Sequence, residues 1–233
     1  MSTLYIVATP IGNLNDMTLR AIDTLKKVNT IASEDTRTTR NLLNHFGIED
    51  KRLLAVEAHN ENKAAKGIIM LLEQGEDICY LSEAGTPGVS DPGARLTEEV
   101  RKNGFNVVPI PGCSASITLV SVAGNIGKSW TFEGFLPKTS GKRDARLKEL
   151  FSRNEAFVIY ESPYRILKTL EALANVDGKR IAILGRELTK MYEEIIKDTL
   201  SNILLDFKKR PSIKGEFVVI VCPEEKKRVY EYE

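Results

Sequence analysis

A polar, glycine-rich segment at residues 81–93 contains the densest set of residues that could do chemistry. It reads Leu-Ser-Glu-Ala-Gly-Thr-Pro-Gly-Val-Ser-Asp-Pro-Gly. Gly85, Gly88 and Gly93 permit positive φ angles or a close backbone approach, while the two prolines fix the path of the chain. The segment follows an apolar strand-like run, which predicts a position at the carboxyl edge of a sheet, where open α/β proteins bind ligands. An ordered structural loop is the alternative interpretation.

A second group of charged residues follows another strand-like run. Glu34 and Asp35 precede a predicted helix, and Arg37 and Arg40 lie three residues apart on one face of it. The arginines could hold phosphates, and the carboxylates could orient a sugar or accept a proton. The alternative is a capped helix whose charges only face solvent.

A third group, Arg-Glu-Leu-Thr-Lys at residues 186–190, lies at the end of a predicted strand. Charged residues at the edge of a sheet tend to face a cleft, which makes Glu187 and Lys190 candidate site residues. A buried lysine can act as a base when its pKa is depressed, or it can remain charged and stabilise an anion.

A basic segment lies between residues 138 and 148. Five cations stand there against one aspartate, Asp144: Lys138, Lys142, Arg143, Arg146 and Lys148. Such a run could contact phosphates, although it is also typical of a solvated helix face. Arg37, Arg40, Lys138 and Arg143 are therefore candidate phosphate contacts.

The elements that position these groups alternate between strands and helices, which indicates an α/β fold. In the first half we predict strands at 4–9, 30–33, 52–56, 77–81 and 106–110 and helices at 18–27, 36–46, 60–74 and 92–103, the last capped by Asp91. In the second half we predict strands at 130–135, 156–160, 180–186, 192–199 and 216–221 and helices at 114–123, 143–151, 163–173 and 200–208. The pattern predicts two α/β domains, 1–112 and 113–233, with a ligand cleft between them. The N-terminal sheet should be mostly parallel and the C-terminal sheet mixed.

Composition excludes several classes of protein. The chain has 233 residues, 42% of them hydrophobic and 28% charged, which is typical of a folded globular protein. Its net charge is +1, so any RNA-binding surface must be local. Neither GxGxxG nor GxxxxGK[ST] occurs, which removes the main support for ordinary dinucleotide or P-loop binding.

Cysteine and histidine usage indicates a cytoplasmic protein without a metal site. The cysteines, Cys79, Cys113 and Cys222, are scattered and predict free thiols, and the only histidines are His45 and His59. No apolar run approaches a membrane span, and no signal peptide is evident. We therefore expect no membrane association.

Nine segments together resemble the tetrapyrrole (corrin/porphyrin) methylase superfamily of S-adenosylmethionine-dependent methyltransferases, and within it the branch that acts on ribosomal RNA. They follow the family order over positions 4–221: LYIVATPIGNLNDMTLRA, IASEDTRTTRNLLNHFGI, HNE, AGTPGVSDPG, VVPIPGCSASITLVSVAG, FEGFLPK, YESPYR, RELTK and KGEFVVIV. Nine segments in register cover nearly the whole chain.

The resemblance implies a homodimer that binds S-adenosylmethionine and methylates the ribose 2′-oxygen of a cytidine in the decoding region of 16S rRNA, in the small ribosomal subunit. It implies contacts with the methyl donor by Pro10, Ser82, Glu83, Ala84, Gly85, Thr86, Pro87, Ser114 and Ala115. From the second domain it implies further contacts by Tyr160, Leu188 and Gly215.

The implied reaction assigns roles to the charged groups. For transfer of a methyl group to a ribose hydroxyl we expect Lys190 to be the catalytic residue, with Glu187 tuning it. Glu34 and Asp35 are the competing candidates for the base. We expect the phosphates of the RNA to be contacted by Arg37, Arg40, Lys138 and Arg143.

The chain departs from the family pattern at several positions. Glu83 replaces a common Asp, Cys113 replaces a Pro, and Glu57 stands where relatives often have a second His. Because no C-terminal helical extension like that of longer relatives follows the last predicted strand, we expect RNA contacts made by it to be absent or supplied elsewhere. Two rival interpretations remain. One is a small-molecule, tetrapyrrole-type C-methyltransferase, and the other is a non-catalytic RNA-binding protein of the same fold.

Overall fold

The computed structural model describes residues 2–56 and 61–224, which fall into two compact units. Unit 1 comprises residues 1–114 and unit 2 comprises residues 115–233. Each unit has its own five-stranded sheet, the first all parallel and the second mixed, so the predicted α/β fold class is confirmed. Glu57 and the His-Asn-Glu segment around His59 lie mostly outside the described residues.

Unit 1 is a parallel sheet between two layers of helices. Its strands are β1 (Thr3–Val7), β2 (Thr30–Ser33), β3 (Arg52–Ala55), β4 (Ile78–Leu81) and β5 (Asn106–Ile110), in the order β3-β2-β4-β1-β5. Its helices are α1 (Leu19–Lys27), α2 (Thr36–His45), α3 (Glu61–Glu73) and α4 (Ala94–Lys102). Because all five strands are parallel, their carboxyl ends meet at one edge of the sheet.

The two faces of the first sheet are buried by different helices. Along β4, Cys79 and Leu81 join the apolar cluster formed with α1 and α2, whereas Ile78 and Tyr80 join the cluster formed with α3 and α4. Side chains alternate between the faces of a strand, so a strand covered on both sides must be apolar throughout. The run Ile-Cys-Tyr-Leu is fully buried for this reason.

The start of α4 differs from the prediction. Asp91 does not cap it; the residue before the helix is Gly93, with φ +115° and no side-chain cap. A Cβ atom on Gly93 would lie 2.6 Å from Cε1 of Tyr80, so only glycine permits this approach. The packing against Tyr80 therefore overrides the Asp-Pro signal and leaves Asp91 in the loop before the helix.

Unit 2 is a mixed sheet with its core on one face. Its strands are β6 (Trp130–Phe135), β7 (Ala156–Glu161), β8 (Ile181–Arg186), β9 (Glu194–Thr199) and β10 (Phe217–Val221), in the order β6-β7-β10-β8-β9. Its helices are α5 (Ala115–Ala123), α6 (Ser140–Ser152), α7 (Ile166–Asp177) and α8 (Leu200–Lys209). Strands β6, β7 and β8 run in one direction and β9 and β10 in the other.

The helices of unit 2 are divided unequally between the two faces of its sheet. Helices α6, α7 and α8 bury the face that includes Ile159 and Leu184, whereas Gly185 on the opposite face lies beside Leu119 of α5. Of the helices within the described ranges, none is long and apolar enough to cross a membrane.

Candidate functional site

Two loops of unit 1 that are predicted to bind the methyl donor are joined at the carboxyl edge of the first sheet. Thr9 and Gly85 form a two-residue antiparallel bridge, with N–H···O distances of 2.9 and 3.0 Å. The Thr9 hydroxyl donates to the Ser82 carbonyl at 3.2 Å, and the Ser82 hydroxyl donates to the Gly85 carbonyl. These bonds place Pro10, which is buried, beside the loop after β4.

The loop after β5 joins the same group. The Thr86 hydroxyl donates to the Cys113 carbonyl at 2.9 Å. Ser114 therefore lies next to the other residues of unit 1 that are predicted to contact the methyl donor. Ser82 and Gly85 are buried, Thr86, Pro87 and Ser114 are half-buried, and Glu83 and Ala84 face solvent. We call the loops that follow β1, β4 and β5, residues 8–14, 82–93 and 111–114, the unit 1 rim. Ala115 lies beyond the rim as the first residue of α5.

Carboxylates near the unit 1 rim repel one another. Burial is the main reason that the pKa of Asp91 rises to about 6, and the charges of Glu34 and Glu83 add to it. Burial also raises the pKa of Glu83, with further repulsion from Glu34 and Asp35. The sequence predicted only a capping role for Asp91. Its position in the polar, glycine-rich segment at 81–93 was the signal that could have marked it as a site residue.

Asp35 and the two arginines of α2 form a separate exposed group. The Asp35 carboxylate caps α2 by accepting from the Arg37 backbone N–H at 2.8 Å, and it pairs with the Arg37 guanidinium at 3.2 Å. The hydrogen bond from the Arg37 side chain lowers the pKa of Asp35. With 90% of its side chain exposed, Arg37 is accessible to a large ligand, and Arg40 is also exposed.

In unit 2, Tyr160 is fixed at the end of β7 by polar and aromatic contacts. Its hydroxyl accepts from the backbone N–H of Ser116, in the first turn of α5, at 3.1 Å. Its ring packs edge-on against Phe132 and Phe135, at centroid distances of 5.0 and 5.9 Å. The tyrosine thus ties the start of α5 to the second sheet.

A network of charges surrounds Lys190 at the end of β8. The Lys190 ammonium donates to Glu187 Oε1 at 3.0 Å and to Glu216 Oε2 at 2.8 Å. The Glu216 backbone N–H also donates to Glu187 Oε1, at 2.9 Å. Gly215, at φ +99°, permits this geometry, because its Cβ would lie 2.5 Å from Glu187 Cγ. We call Glu187, Lys190, Gly215 and Glu216 the Lys190 network.

The Lys190 network keeps its charges. Burial disfavours the Lys190 ammonium, but hydrogen bonds and charge from Glu216 and Glu187 outweigh burial and raise its pKa. Burial likewise disfavours the Glu187 carboxylate, but the Glu216 N–H and the Lys190 ammonium outweigh it and lower that pKa. The arrangement therefore presents a charged lysine rather than a neutral base.

The backbone beside this network is strained. Glu187 and Thr189 have φ angles of 50° and 67°, a region that is unusual for a β-branched residue such as Thr189. Within the described part of the chain, the buried Thr189 Oγ1 has no hydrogen-bond partner. Leu188, between the two, is buried against Gly185. Sequence analysis assigned Thr189 no role of its own, since neither its strain nor its orphaned hydroxyl can be read from residue types.

The basic segment of unit 2 is only partly available to a ligand. Arg146 forms two hydrogen bonds to Glu133, at 2.8 and 2.6 Å, and Arg143 has only 15% of its side chain exposed. Lys138 and Lys142, at the start of the segment, face solvent. Of the predicted RNA contacts in this unit, Lys138 is accessible and Arg143 is largely covered.

These features correspond to a known family. Residues 3–204 match the family model described as Tetrapyrrole (Corrin/Porphyrin) Methylases, and the chain belongs to this family.

Curated relatives cover nearly the whole chain. A protein from Xylella fastidiosa named "Ribosomal RNA small subunit methyltransferase I" is 46% identical over 94% of this chain and 81% of its own length. Proteins with the same name from Bacillus subtilis and Borrelia garinii are 41% and 43% identical, over 95% and 94% of this chain and 75% and 97% of theirs.

Solved structures share the fold. The methyltransferase CobJ superposes with a TM-score of 0.72 at 18% identity, covering 98% of this chain and 97% of its own. A diphthine synthase superposes with a TM-score of 0.71 at 16% identity, covering 95% of this chain and 90% of its own.

Proposed function

We propose that this protein is an S-adenosylmethionine-dependent methyltransferase of the small ribosomal subunit. Its acceptor would be the ribose 2′-oxygen of a cytidine in the decoding region of 16S rRNA. The observation that carries this proposal is the 46% identity, over 94% of the chain, to a protein named as a small-subunit rRNA methyltransferase. The likeness to the solved structure of CobJ, at 18% identity, concerns the fold alone and gives no support to a small-molecule acceptor.

The chemistry of the unit 1 rim fits the methyl donor. S-adenosylmethionine carries a positively charged sulfonium, whose methyl group is transferred to the acceptor oxygen. Burial, together with neighbouring carboxylates, raises the pKa values of Glu83 and Asp91, and a cation beside them would favour their ionised forms. Rigid loop contacts at Thr9, Gly85 and Thr86 would limit the entropy lost on binding. We therefore assign donor binding to the unit 1 rim.

The Thr189 hydroxyl, which has no hydrogen-bond partner among the described residues, is a second feature that fits a bound methyl donor. A buried hydroxyl without a partner costs about 1–3 kcal/mol, which a polar group of a ligand would recover. We assign this role to the donor, with Leu188 supplying an adjacent apolar contact.

Lys190 would stabilise the negative charge that develops on the acceptor oxygen. Sequence analysis left open whether this residue acts as a base or as a fixed cation, and its raised pKa favours the cation. Glu187 and Glu216 hold the ammonium in place, so little reorganisation is needed during the reaction. Of the two competing bases, Asp35 is engaged by Arg37, which leaves Glu34 as the better candidate for the proton acceptor.

RNA contacts and a homodimer complete the proposal. Arg37, Arg40 and Lys138 are exposed cations suited to phosphates. The exposed Ile117 and Val122 on α5 offer apolar surface for a second copy of the chain. Sedimentation of the purified protein would test the dimer, since a monomer at every concentration would contradict it.

Methylation of purified small ribosomal subunits tests the function. We expect transfer of labelled methyl groups to 16S rRNA and recovery of 2′-O-methylcytidine by mass spectrometry of the nucleosides. Donor binding measured by calorimetry without any RNA methylation would favour the small-molecule alternative. Absence of donor binding would favour the non-catalytic alternative.

A further inference from the structure

Two exposed aromatic residues lie at the carboxyl ends of the neighbouring strands β6 and β7. Phe135 ends β6 and is 52% exposed, while Tyr164 follows β7 and is 93% exposed. Large aromatic side chains are usually buried, so two exposed rings at adjacent strand ends are a candidate binding surface.

A β-bulge determines which face Phe135 occupies. The pairing of β6 with β7 shifts between Phe132 and Gly134, so that Phe135 pairs with Tyr160 rather than with Glu161. Side chains alternate along a strand, and a one-residue shift moves Phe135 away from the face that packs on the core helices. Gly134, at φ +68°, supplies the backbone conformation. The bulge therefore brings Phe135 to the side of Tyr160, at 5.9 Å.

A tight turn holds Tyr164 in the open. The Arg165 N–H donates to the Ser162 carbonyl at 3.1 Å, closing a four-residue turn with Pro163 at its second position. The Arg165 guanidinium donates to the Leu136 carbonyl at 2.8 Å and pairs with the buried Glu161 at 3.4 Å. These contacts fix the turn against the residue after Phe135, so Tyr164 is displayed on an ordered backbone. This turn replaces the first residues of the helix predicted at 163–173.

Two exposed lysines follow Phe135 in the sequence. Lys138 lies three residues after Phe135, and Lys142 lies in the first turn of α6. Among the described residues neither has an ion-pair partner within 4.0 Å, whereas Arg146 in the same segment is paired with Glu133 and Glu149. Aromatic faces beside unpaired cations are the combination that binds single-stranded nucleic acid, through base stacking and phosphate contacts.

We infer that Phe135 and Tyr164 form a stacking platform for unpaired bases of the RNA substrate, with Lys138 and Lys142 contacting the phosphates. This inference rests on the proposed function, because it assigns base contacts to an enzyme acting on RNA. The sequence did not predict aromatic residues that could stack on bases. Tyr164 and Phe135 here are binding residues and take no part in the methyl transfer.

Binding of a fluorescein-labelled single-stranded oligocytidylate, followed by anisotropy, tests the platform. We expect Tyr164→Ala and Phe135→Ala each to weaken binding about 5- to 150-fold, the range for loss of one stacked base. Tyr164→Phe should bind like the wild type, because its ring is kept. Leu205→Ala, an apolar residue on α8 with 56% exposure, is the matched surface control and should have no effect.

Salt dependence separates the two kinds of contact. The double variant Lys138→Ala/Lys142→Ala should reduce the slope of log affinity against log salt by about 1.4, whereas Tyr164→Ala should leave the slope unchanged. Wild-type binding that survives Tyr164→Ala, or absence of oligocytidylate binding by the wild type, overturns the platform. So does a loss in Tyr164→Phe equal to that in Tyr164→Ala.

Methylation of small ribosomal subunits distinguishes failure of the platform from failure of the proposed function. If both are right, Tyr164→Ala raises KM for the subunit while the affinity for S-adenosylmethionine, measured by calorimetry, is unchanged. If the wild type methylates subunits and the variant does so with an unchanged KM, the platform is wrong and the function stands. If the wild type binds the donor but methylates no rRNA, the proposed function fails, and the platform falls with it as a substrate site.

Discussion

The carboxyl groups of the unit 1 rim and of the Lys190 network have pKa values shifted in opposite directions. At the rim, the half-buried Asp91 and the more exposed Glu83 lie near other carboxylates, and the pKa of each is raised. In the Lys190 network, each carboxylate faces the ammonium or a backbone N–H, and the pKa of Glu187 is lowered. Both regions lie at strand ends and are rich in glycine and charged residues, so composition alone does not separate them.

The difference indicates what each region is built to do. Repulsion that persists in the folded protein costs stability, and it is relieved when a cation binds. A network with satisfied hydrogen bonds gains nothing from a further cation, but it holds one positive charge in a fixed position. The rim thus suits a charged ligand, and the network suits the stabilisation of an anion that forms during a reaction.

The largest expected effect tests the Lys190 network. Replacement of Lys190 by Met removes the positive charge while keeping an unbranched side chain, and we expect the single-turnover methylation rate to fall about 100- to 1000-fold. Donor affinity should change little, because the charge acts on the acceptor oxygen. Lys208→Met, which breaks the exposed Lys208–Glu171 pair between α8 and α7, is the control. A near-wild-type rate for Lys190→Met would remove this residue from the chemistry.

The geometry of the same network is tested by Gly215→Ala. The added Cβ would meet Glu187 Cγ at 2.5 Å, and the positive φ adds backbone strain. We expect the free energy of unfolding in urea to fall by about 2–3 kcal/mol. Gly47→Ala has a similar positive φ but nothing within 4 Å of the new Cβ, so it measures the strain alone, about 1 kcal/mol. Equal losses for the two variants would show that Glu187 moves aside freely.

The comparison also shows what the sequence could predict. Strands β2, β5 and β6 have the predicted bounds, because apolar runs and glycines mark them locally. Glu216 lies 26 residues after Lys190 in the chain, and the pairing of β8 with β10 brings the two together. Such pairing joins side chains that no local pattern relates.

The same limit applies at the unit 1 rim. The Asp-Pro signal is local and predicts a cap, but the contact of Gly93 with Tyr80 is tertiary and decides where α4 begins. The bulge at Gly134 is a similar case, since its register depends on β7. The sequence therefore predicted which residues carry chemistry at the site, whereas their protonation and exposure depend on tertiary contacts.

A smaller effect tests the repulsion at the rim. The folded-state pKa of Asp91, about 6, lies above the usual 3.8, so folding favours the protonated form. Its contribution to stability is complete below about pH 4 and is lost as the pH rises through about 6. Asp91→Asn should therefore stabilise the protein at neutral pH by about 1 kcal/mol, allowing for solvent screening at this half-buried site, and have little effect near pH 4.

Donor binding should show the converse dependence. In the wild type, affinity for S-adenosylmethionine should rise about fivefold as the pH increases through about 6, because ionised Asp91 attracts the sulfonium. Asp91→Asn should lose this pH dependence. Asp23→Asn, which removes an exposed charge from α1, should keep it. Unchanged pH profiles of stability and binding in Asp91→Asn would contradict the rim as a cation site.

The smallest effect concerns two threonines of unit 2 in opposite environments. The Thr189 hydroxyl lacks a partner in the described structure, whereas the Thr169 hydroxyl donates to the buried Glu161 Oε2 at 2.8 Å. Thr189→Val should therefore stabilise the protein by about 0.5–1 kcal/mol and weaken donor binding by about threefold, because the hydroxyl is free for a ligand. Thr169→Val should destabilise it by about 1–3 kcal/mol, since it removes a hydrogen bond to the buried Glu161 Oε2 and leaves that oxygen with Arg165 at 3.4 Å. Urea unfolding and calorimetry measure both, and destabilisation of equal size in the two variants would show that Thr189 already has a structural partner.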